Sequence, residues 1–293
     1  MGYFMLRLLT YRYWKMALLA ASIILLAACS ATRLAYNNLD WLIRWKVGDY
    51  VSLDRAQKQW LSSRIEGHLD WHCRSELPQY LPLLDDLGTN LYTKHLDPSV
   101  LMQGLPNVEA SADRLIGEIT PTLIGLMRQL DARQVQELTK NLQEKQNEMN
   151  EKYLEPDLLA QNRDRIERAQ DRLEDWTGPL NEPQQALLTV WSAELEGQNQ
   201  IWLQNRQAWQ SAFVDTVNRR DQPDFAQHIT DLMMDRERFW TADFKRIAAT
   251  NTERGAQLIT DLMQLSSNKQ QRHLSKRLAG IRADIQALQC TDA

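Results

Sequence analysis

Apolar residues recur at helical spacing along most of this sequence, and that periodicity restricts the fold more than any other feature. The clearest case lies near the C-terminus, where Leu274, Leu278, Ile281, Ile285 and Leu288 keep a heptad seam. No stretch alternates between apolar and polar residues for long enough to predict a β-strand. The sequence therefore predicts an all-α fold, an elongated bundle of long amphipathic helices.

Capping residues and prolines set the limits of the predicted helices. A helical segment begins within "YNNLDWLIRW", where Trp41 and Trp45 share a face, and the next helix is capped by Asp54 and closed by Pro78. Further helices are predicted over 78–95, 98–129 with a break near Pro121, 131–153, 157–176, 183–219 and 224–265, followed by the seam helix. Residues 37–293 are expected to form one helical domain, with two subdomains meeting near 177–183 as the alternative.

Three stretches share Leu, then Asp or Asn, then Gln, then Leu at fixed offsets: "LDRAQKQWL" at 53–61, "LDARQVQEL" at 130–138 and "LNEPQQALL" at 180–188. Asp or Asn caps free amides at a helix start, and the preceding Leu can act as a hydrophobic staple. The separations of 77 and 50 residues are unequal. The pattern therefore predicts a reused helix start and not a solenoid repeat.

The N-terminus has the layout of a secretory signal. Arg7, Arg12 and Lys15 give a positive start, and an uncharged apolar run of 13 residues follows, from position 16 to 28. A helix needs about 20 residues to cross the hydrocarbon core, so a permanent transmembrane anchor is the weaker interpretation. Residues 1–28 are therefore predicted to be a cleaved signal peptide.

The last residues of that run, Leu26-Ala27-Ala28-Cys29, resemble the lipobox of bacterial lipoproteins. The resemblance implies cleavage between Ala28 and Cys29, acylation of Cys29, and a lipidated tether over 29–36. Ser30, in place of the Asp that retains enteric lipoproteins in the inner membrane, implies the periplasmic face of the outer membrane. The alternative is an ordinary signal peptide that happens to contain a cysteine.

The net charge indicates which kinds of partner the protein can bind, and the cysteines bear on the compartment in which it folds. Removal of residues 1–28 leaves 31 basic and 38 acidic residues, a net formal charge of −7, which argues against nucleic acid as the main partner. The inner leaflet of the outer membrane and other envelope proteins are the expected partners. In an oxidising periplasm Cys73 and Cys290 can form a disulfide, and two separate thiols are the alternative.

The stretch "HLDWHCRSE" places His68, His72 and Glu76 on one helix face, where they are weak candidates for metal ligands. The alternative, which we favour, is a buried polar network or a set of partners for charges on another helix. The sequence has no G-x-S-x-G, no glycine-rich phosphate loop and no H-E-x-x-H, and Ser266 to Lys269 matches S-x-x-K by letters alone. We therefore predict no catalytic residue, no metal and no cofactor.

The stretches "RLAYNNLDWLIRW" and "WHCRSELPQY", set behind a lipobox, resemble an uncharacterised family of proteobacterial lipoproteins catalogued as a domain of unknown function. The resemblance implies a helical envelope lipoprotein and brings no activity or site residues. A second likeness is to periplasmic chaperones of the Spy and CpxP type, which carry Leu-Thr-x-x-Gln repeats. Asp or Asn stands here where those proteins have Thr.

The leading functional prediction is a non-enzymatic adaptor or scaffold that is anchored to the outer membrane and binds other envelope proteins. A periplasmic chaperone for unfolded clients is the first alternative, motivated by the Leu-Asp-x-x-Gln echoes. An envelope enzyme with an unfamiliar active site is the second.

Overall fold

The computed structural model describes residues 36, 38–91, 96–288 and 290. Within these residues the secondary structure is helical and contains no β-strand, so the predicted all-α class is confirmed. The predicted signal peptide, its cleavage point at Ala28, the lipidation site Cys29 and the sorting residue Ser30 all lie outside the described residues.

Helices of very different length make up the bundle. They are α1 Leu39–Gly48, α2 Arg55–Trp71, α3 Leu77–Leu91, α4 Pro98–Gln129, α5 Ala132–Leu154, α6 Leu158–Thr177, α7 Glu182–Glu194, α8 Gln198–Asn218, α9 Phe225–Met234, α10 Ala242–Gln264 and α11 Asn268–Ala287. A π-helical turn, His72–Glu76, joins α2 to α3, and a 3₁₀ turn, Arg236–Phe239, precedes α10. No helix in the described ranges is both long and apolar enough to cross a membrane.

Two prolines do not end helices where the sequence predicts. The π-helical turn carries the chain from α2 into α3 without a break, and Pro78 lies within this continuous helical stretch, at the second position of α3. The predicted break near Pro121 is also wrong, because α4 runs unbroken through Pro106 and Pro121. α4 packs against α2, α3, α9 and α10, and this tertiary packing holds the helix across both prolines.

Two predicted long helices are divided in the structure. The segment 183–219 splits into α7 and α8 at Gly197, whose φ of +78° is a left-handed conformation that favours glycine. The segment 224–265 splits into α9 and α10, and Thr241 caps the start of α10 by accepting a hydrogen bond from the Phe244 amide at 3.3 Å. Apolar residues keep their helical spacing on both sides of each break, so the sequence pattern alone predicted one long helix in each case.

Capping boxes begin four helices of the described chain. In each, the cap side chain accepts a hydrogen bond from the third helical amide, and a glutamine at that position accepts one from the amide of the cap. The pairs are Asp54 with Gln57 in α2, Asp131 with Gln134 in α5, Asn181 with Gln184 in α7, and Ser267 with Gln270 in α11. The first three are the predicted echoes, whereas the fourth was missed because its cap is serine and no leucine directly precedes it.

The capping glutamines meet in pairs across the bundle. Gln57 and Gln134 are buried and hydrogen-bonded to each other, at 2.6 Å and 3.0 Å, and their amide nitrogens also donate to Gln129 O and Ser52 O. We call this pair the first glutamine clasp. It joins the start of α2 to the start of α5.

A second glutamine clasp joins α7 to α11. The Gln270 side-chain nitrogen donates to Gln184 Oε1 at 2.8 Å and to Pro179 O, and Gln184 donates to Leu262 O. The helix contacts repeat in the same order: α1 packs on α2 as α6 packs on α7, α2 on α4 as α7 on α10, and α5 on α8 as α11 on α3. The packing pattern of the first five helices therefore recurs in the last six, among which α9 is the extra helix. The two halves also exchange contacts, since α3 of the first half packs on α11 of the second and α8 of the second packs on α5 of the first.

Three clusters of buried apolar residues form the core. The largest lies among α2, α4, α5, α8 and α9, and includes Leu61, Leu126, Leu138, Phe213 and Ile229. A second cluster joins α3 to α11 through Leu91, Leu96, Leu274 and Leu278, and a third joins α7 to α10 through Leu180, Leu188, Leu258 and Leu262. The candidate site lies between these two smaller clusters.

Candidate functional site: an apolar cavity

A cavity of about 810 Å³ opens between α3, α4, α10 and α11, with α6 and the start of α7 at one end. This volume falls within the roughly 300–1,000 Å³ that is typical of sites for small molecules or side chains of a partner. Nearly all of its wall is apolar. The wall includes Leu83, Leu84, Leu87 and Leu91 of α3; Val100, Leu101, Leu105 and Val108 of α4; Leu173 and Trp176 of α6; Ala256, Ile259 and Met263 of α10; and Leu274, Ile281 and Ile285 of α11.

Helical periodicity explains how these helices form the wall. Leu83, Leu84, Leu87 and Leu91 recur at spacings that place them on one face of α3. α10 lines the groove with Gly255 and Ala256 as well as with the larger Ile259 and Met263, and a Cβ built on Gly255 meets no other atom within 4 Å. The small residues at 255 and 256 leave part of the space between the helices unfilled.

Three large apolar side chains stand at the open edge of the cavity. Val108 is 57% exposed, and Leu87 and Trp176 are also exposed. The guanidinium of Arg277 lies over the Trp176 ring, 5.9 Å from its centre. The cavity is therefore a groove that solvent reaches along one edge.

A hydrogen-bonded trio stands at one end of the groove. Tyr80 lines the cavity, and its hydroxyl lies 3.3 Å from His72 Nε2. His72 Nδ1 lies 3.1 Å from the Tyr36 hydroxyl, which donates to Leu69 O at 3.3 Å. This chain fits the tautomer in which Nδ1–H donates to Tyr36 and Nε2 accepts from Tyr80.

Burial favours the neutral form of each side chain in this trio. It raises the pKa of Tyr36 to about 12, with smaller contributions from Tyr80 and Asp70. Burial also raises the pKa of Tyr80 and lowers that of His72, although the nearby Glu76 carboxylate opposes the change at His72. The trio therefore joins α2, α3 and the N-terminal segment through neutral hydrogen bonds.

The three candidate metal ligands have separate partners. His68 Nδ1 lies 3.0 Å from Glu118 Oε1, and His68 Nε2 lies 2.7 Å from Thr122 Oγ1. His72 belongs to the tyrosine trio described above. Over the described ranges, no three His, Cys, Asp or Glu side chains come together where they could hold a metal ion.

Glu76, the third candidate, forms an ion pair with α4. It is 1% exposed, and its carboxylate accepts from Arg114 Nε at 2.8 Å and from an Arg114 terminal nitrogen at 3.0 Å. That same nitrogen donates to Ser111 Oγ at 3.0 Å. The carboxylate hydrogen bond raises the pKa of Arg114 above its already high value. The arrangement matches the favoured alternative, a polar network that binds charges of another helix.

A disulfide ties the turn before α3 to the residues after α11. The structure joins Cys73, in the π-helical turn, to Cys290, just beyond α11, with a Cα–Cα distance of 5.6 Å. Because residues of both α3 and α11 line the groove, this bond holds two of its walls together. Sequence reasoning named both cysteines but could not place the groove between the helices that they connect.

One comparison places the chain in a family. A model described as "Family of unknown function (DUF6279)" matches residues 49–245. The chain belongs to DUF6279. The expected membership of an uncharacterised family is thereby confirmed, whereas the lipoprotein nature of that family stays a prediction.

The DUF6279 match begins directly after α1 and ends in the first turn of α10. It contains the first glutamine clasp, the α3 and α4 walls of the groove, and Gln184 of the second clasp, but not α11. Searches of curated proteins and of solved structures each found no match.

Proposed function

We propose that this protein is an outer-membrane lipoprotein that works as an adaptor, holding another envelope protein by an apolar segment bound in the groove. The observation that carries the proposal is the groove itself, which is large, apolar and open along one edge. The polar groups that line it are few, and the tyrosine trio at its end is neutral. Such a surface suits non-covalent binding.

An amphipathic helix is the guest that best fits the shape. The α3 wall extends from Tyr80 to Leu91, which is about 16 Å at 1.5 Å per residue. Roughly three turns of a guest helix fill that length, with anchors at spacings of three and four residues. The exposed edge at Leu87 and Val108 leaves the polar face of such a bound helix open to solvent. A cavity that encloses a lipid would not need this open edge.

The anchor at Cys29 rests on the lipobox and the charge layout of the first 28 residues. The Cys73–Cys290 disulfide supports an oxidising compartment, because such bonds are rare in the bacterial cytosol. Replacement of Cys29 by Ala should release or misprocess the protein and remove the acyl mass. A Cys29→Ala protein that stays on the membrane with unchanged mass would refute the anchor.

Site-specific photo-crosslinking in intact cells tests the groove. A photoreactive amino acid at Val108 should capture one or two envelope proteins in stoichiometric yield, since Val108 stands at the open edge. The matched control position is Val190 on α7, which is 60% exposed but does not line the groove. Equal capture at the two positions, or capture of lipid alone at Val108, would refute the adaptor.

A cavity-filling variant adds a second arm to that experiment. Gly255→Leu fills the groove from α10, where nothing lies within 4 Å of an added Cβ, and it replaces glycine by a better helix former. Capture at Val108 should fall several-fold in this variant while the protein stays folded. Gly48→Leu is the control, because that glycine also has open space but lies outside the groove.

The glutamine clasps favour a second candidate, a chaperone of the Spy and CpxP type. The capped Leu-Asp-x-x-Gln starts are similar in kind to the Leu-Thr-x-x-Gln repeats of those proteins. A chaperone should suppress the aggregation of a denatured client at equimolar ratio and give a broad, stress-dependent set of crosslinks at Val108. Failure to suppress aggregation would exclude this candidate and leave the adaptor standing.

A further inference from the structure

The first helix presents an uncovered aromatic face. Trp41 and Trp45 are 59% and 55% exposed, and their rings lie nearly parallel with centres 6.2 Å apart. Leu42 is exposed on the same side of the helix, and α1 contains no buried residue. Exposed single apolar residues are common, but these three lie within about 100° of the helix circumference and form a patch that calls for a partner.

The composition of α1 is that of a helix at a membrane surface. Tryptophan is enriched where membranes meet water, because its ring is apolar and its N–H needs a polar partner. The Lys46 ammonium lies 5.7 Å from the centre of the Trp45 ring, so a cation stands beside the aromatic pair. Arg44 and Lys46 are neutralised by Asp40 and Asp49, so the apolar face rather than net charge must supply the attraction.

The position of α1 in the chain identifies which surface it meets. Nine residues lie between Cys29 and Leu39, where α1 begins, and the ten residue-to-residue steps of a fully extended chain span at most about 36 Å. A chain anchored at Cys29 therefore keeps α1 close to the headgroups of the same leaflet. This step rests on the proposed anchor.

We propose that α1 lies in the membrane interface with Trp41, Leu42 and Trp45 inserted among the lipid headgroups. It forms a second membrane contact beside the acyl chains. Two contacts fix the orientation of the bundle on the bilayer, whereas a lipid tether alone leaves it free to rotate. The partner of this face is the lipid surface, and not a second copy of the chain.

Quenching of tryptophan fluorescence by brominated lipids tests the proposal. The full chain, purified from membranes, is reconstituted into phosphatidylethanolamine–phosphatidylglycerol vesicles with brominated acyl chains. Two of the nine tryptophans that follow residue 28 should be quenched, roughly a fifth of the emission if all nine emit equally. Trp41→Phe with Trp45→Phe should abolish the quenching, and phenylalanine keeps the face apolar.

The matched control is Trp202→Phe with Trp240→Phe, which removes two partly exposed rings that lie neither on α1 nor in the groove. This control should keep the quenching seen in the unmodified chain. Equal quenching in the Trp41 and Trp45 variant would overturn the proposal, as would a wild type that is not quenched, whether it elutes as a monomer or as a dimer. Neither result bears on the groove, whose crosslinks are read at Val108.

Discussion

The first glutamine clasp should be a large and cooperative source of stability. Gln134→Ala removes two hydrogen bonds to Gln57 and leaves the Asp131 amide and the Ser52 carbonyl without their side-chain partner. Gln134 is almost fully buried, so water cannot easily replace these bonds. Each buried group left unsatisfied costs about 1–3 kcal/mol. We expect the free energy of unfolding to fall by roughly 3–5 kcal/mol.

Urea unfolding followed by circular dichroism measures this loss. Gln136→Ala, at an exposed position of the same helix, should stay within about 0.5 kcal/mol of the wild type. Because Gln57 and Gln134 share their hydrogen bonds, the double variant should lose less than the sum of the two single variants, by about 1–3 kcal/mol. Additive losses, or a Gln134→Ala variant as stable as its control, would refute the clasp.

Three further changes test other contacts. Serine at both Cys73 and Cys290 should lower the free energy of unfolding by about 5 kcal/mol, since the bond spans 217 residues, and a urea midpoint equal to that of the oxidised protein would contradict this. Gly125→Ala should destabilise by about 1–3 kcal/mol, because its Cβ would lie 2.9 Å from an indole ring, whereas Gly280→Ala, with open space, should stabilise by about 0.5–1 kcal/mol. Burial lowers the pKa of His72 below its ordinary 6.5, so the unfolded chain binds more protons there and stability should fall as pH drops below about 6.5. His72→Gln should reduce that pH dependence, and an unchanged slope of stability against pH would exclude His72 as its source.

The helix starts were the most predictable part of the fold. Asp54, Asp131 and Asn181 cap helices where the sequence predicts, because capping depends on residues within one turn. The prolines at 78 and 121 misled the prediction because local propensity gave way to the packing around α3 and α4. Local rules therefore located helix starts better than helix ends.

The groove could not be predicted, since it depends on which helices become neighbours. The leucines of α3 show that the helix has an apolar face, but an apolar face alone does not distinguish a packed core from an open wall. The small residues Gly255 and Ala256 on α10 were the available signal. Their meaning emerges only when α10 is placed opposite α3 and α4. Gln57 and Gln134 were likewise unpredictable as a pair. In the sequence they belong to two separate helix caps, and only the fold brings them together as hydrogen-bonded partners.

Intact mass measurement of the protein taken from cells, without reduction, tests the central claim of an anchored protein in an oxidising envelope. We predict a chain that begins at Cys29, carries the mass of three acyl chains with their glyceryl group, and lacks the two thiol hydrogens of Cys73 and Cys290. Reduction should then restore those hydrogens and leave the acyl mass in place. A chain that keeps its first 28 residues, has no acyl mass and holds both thiols free would contradict the account.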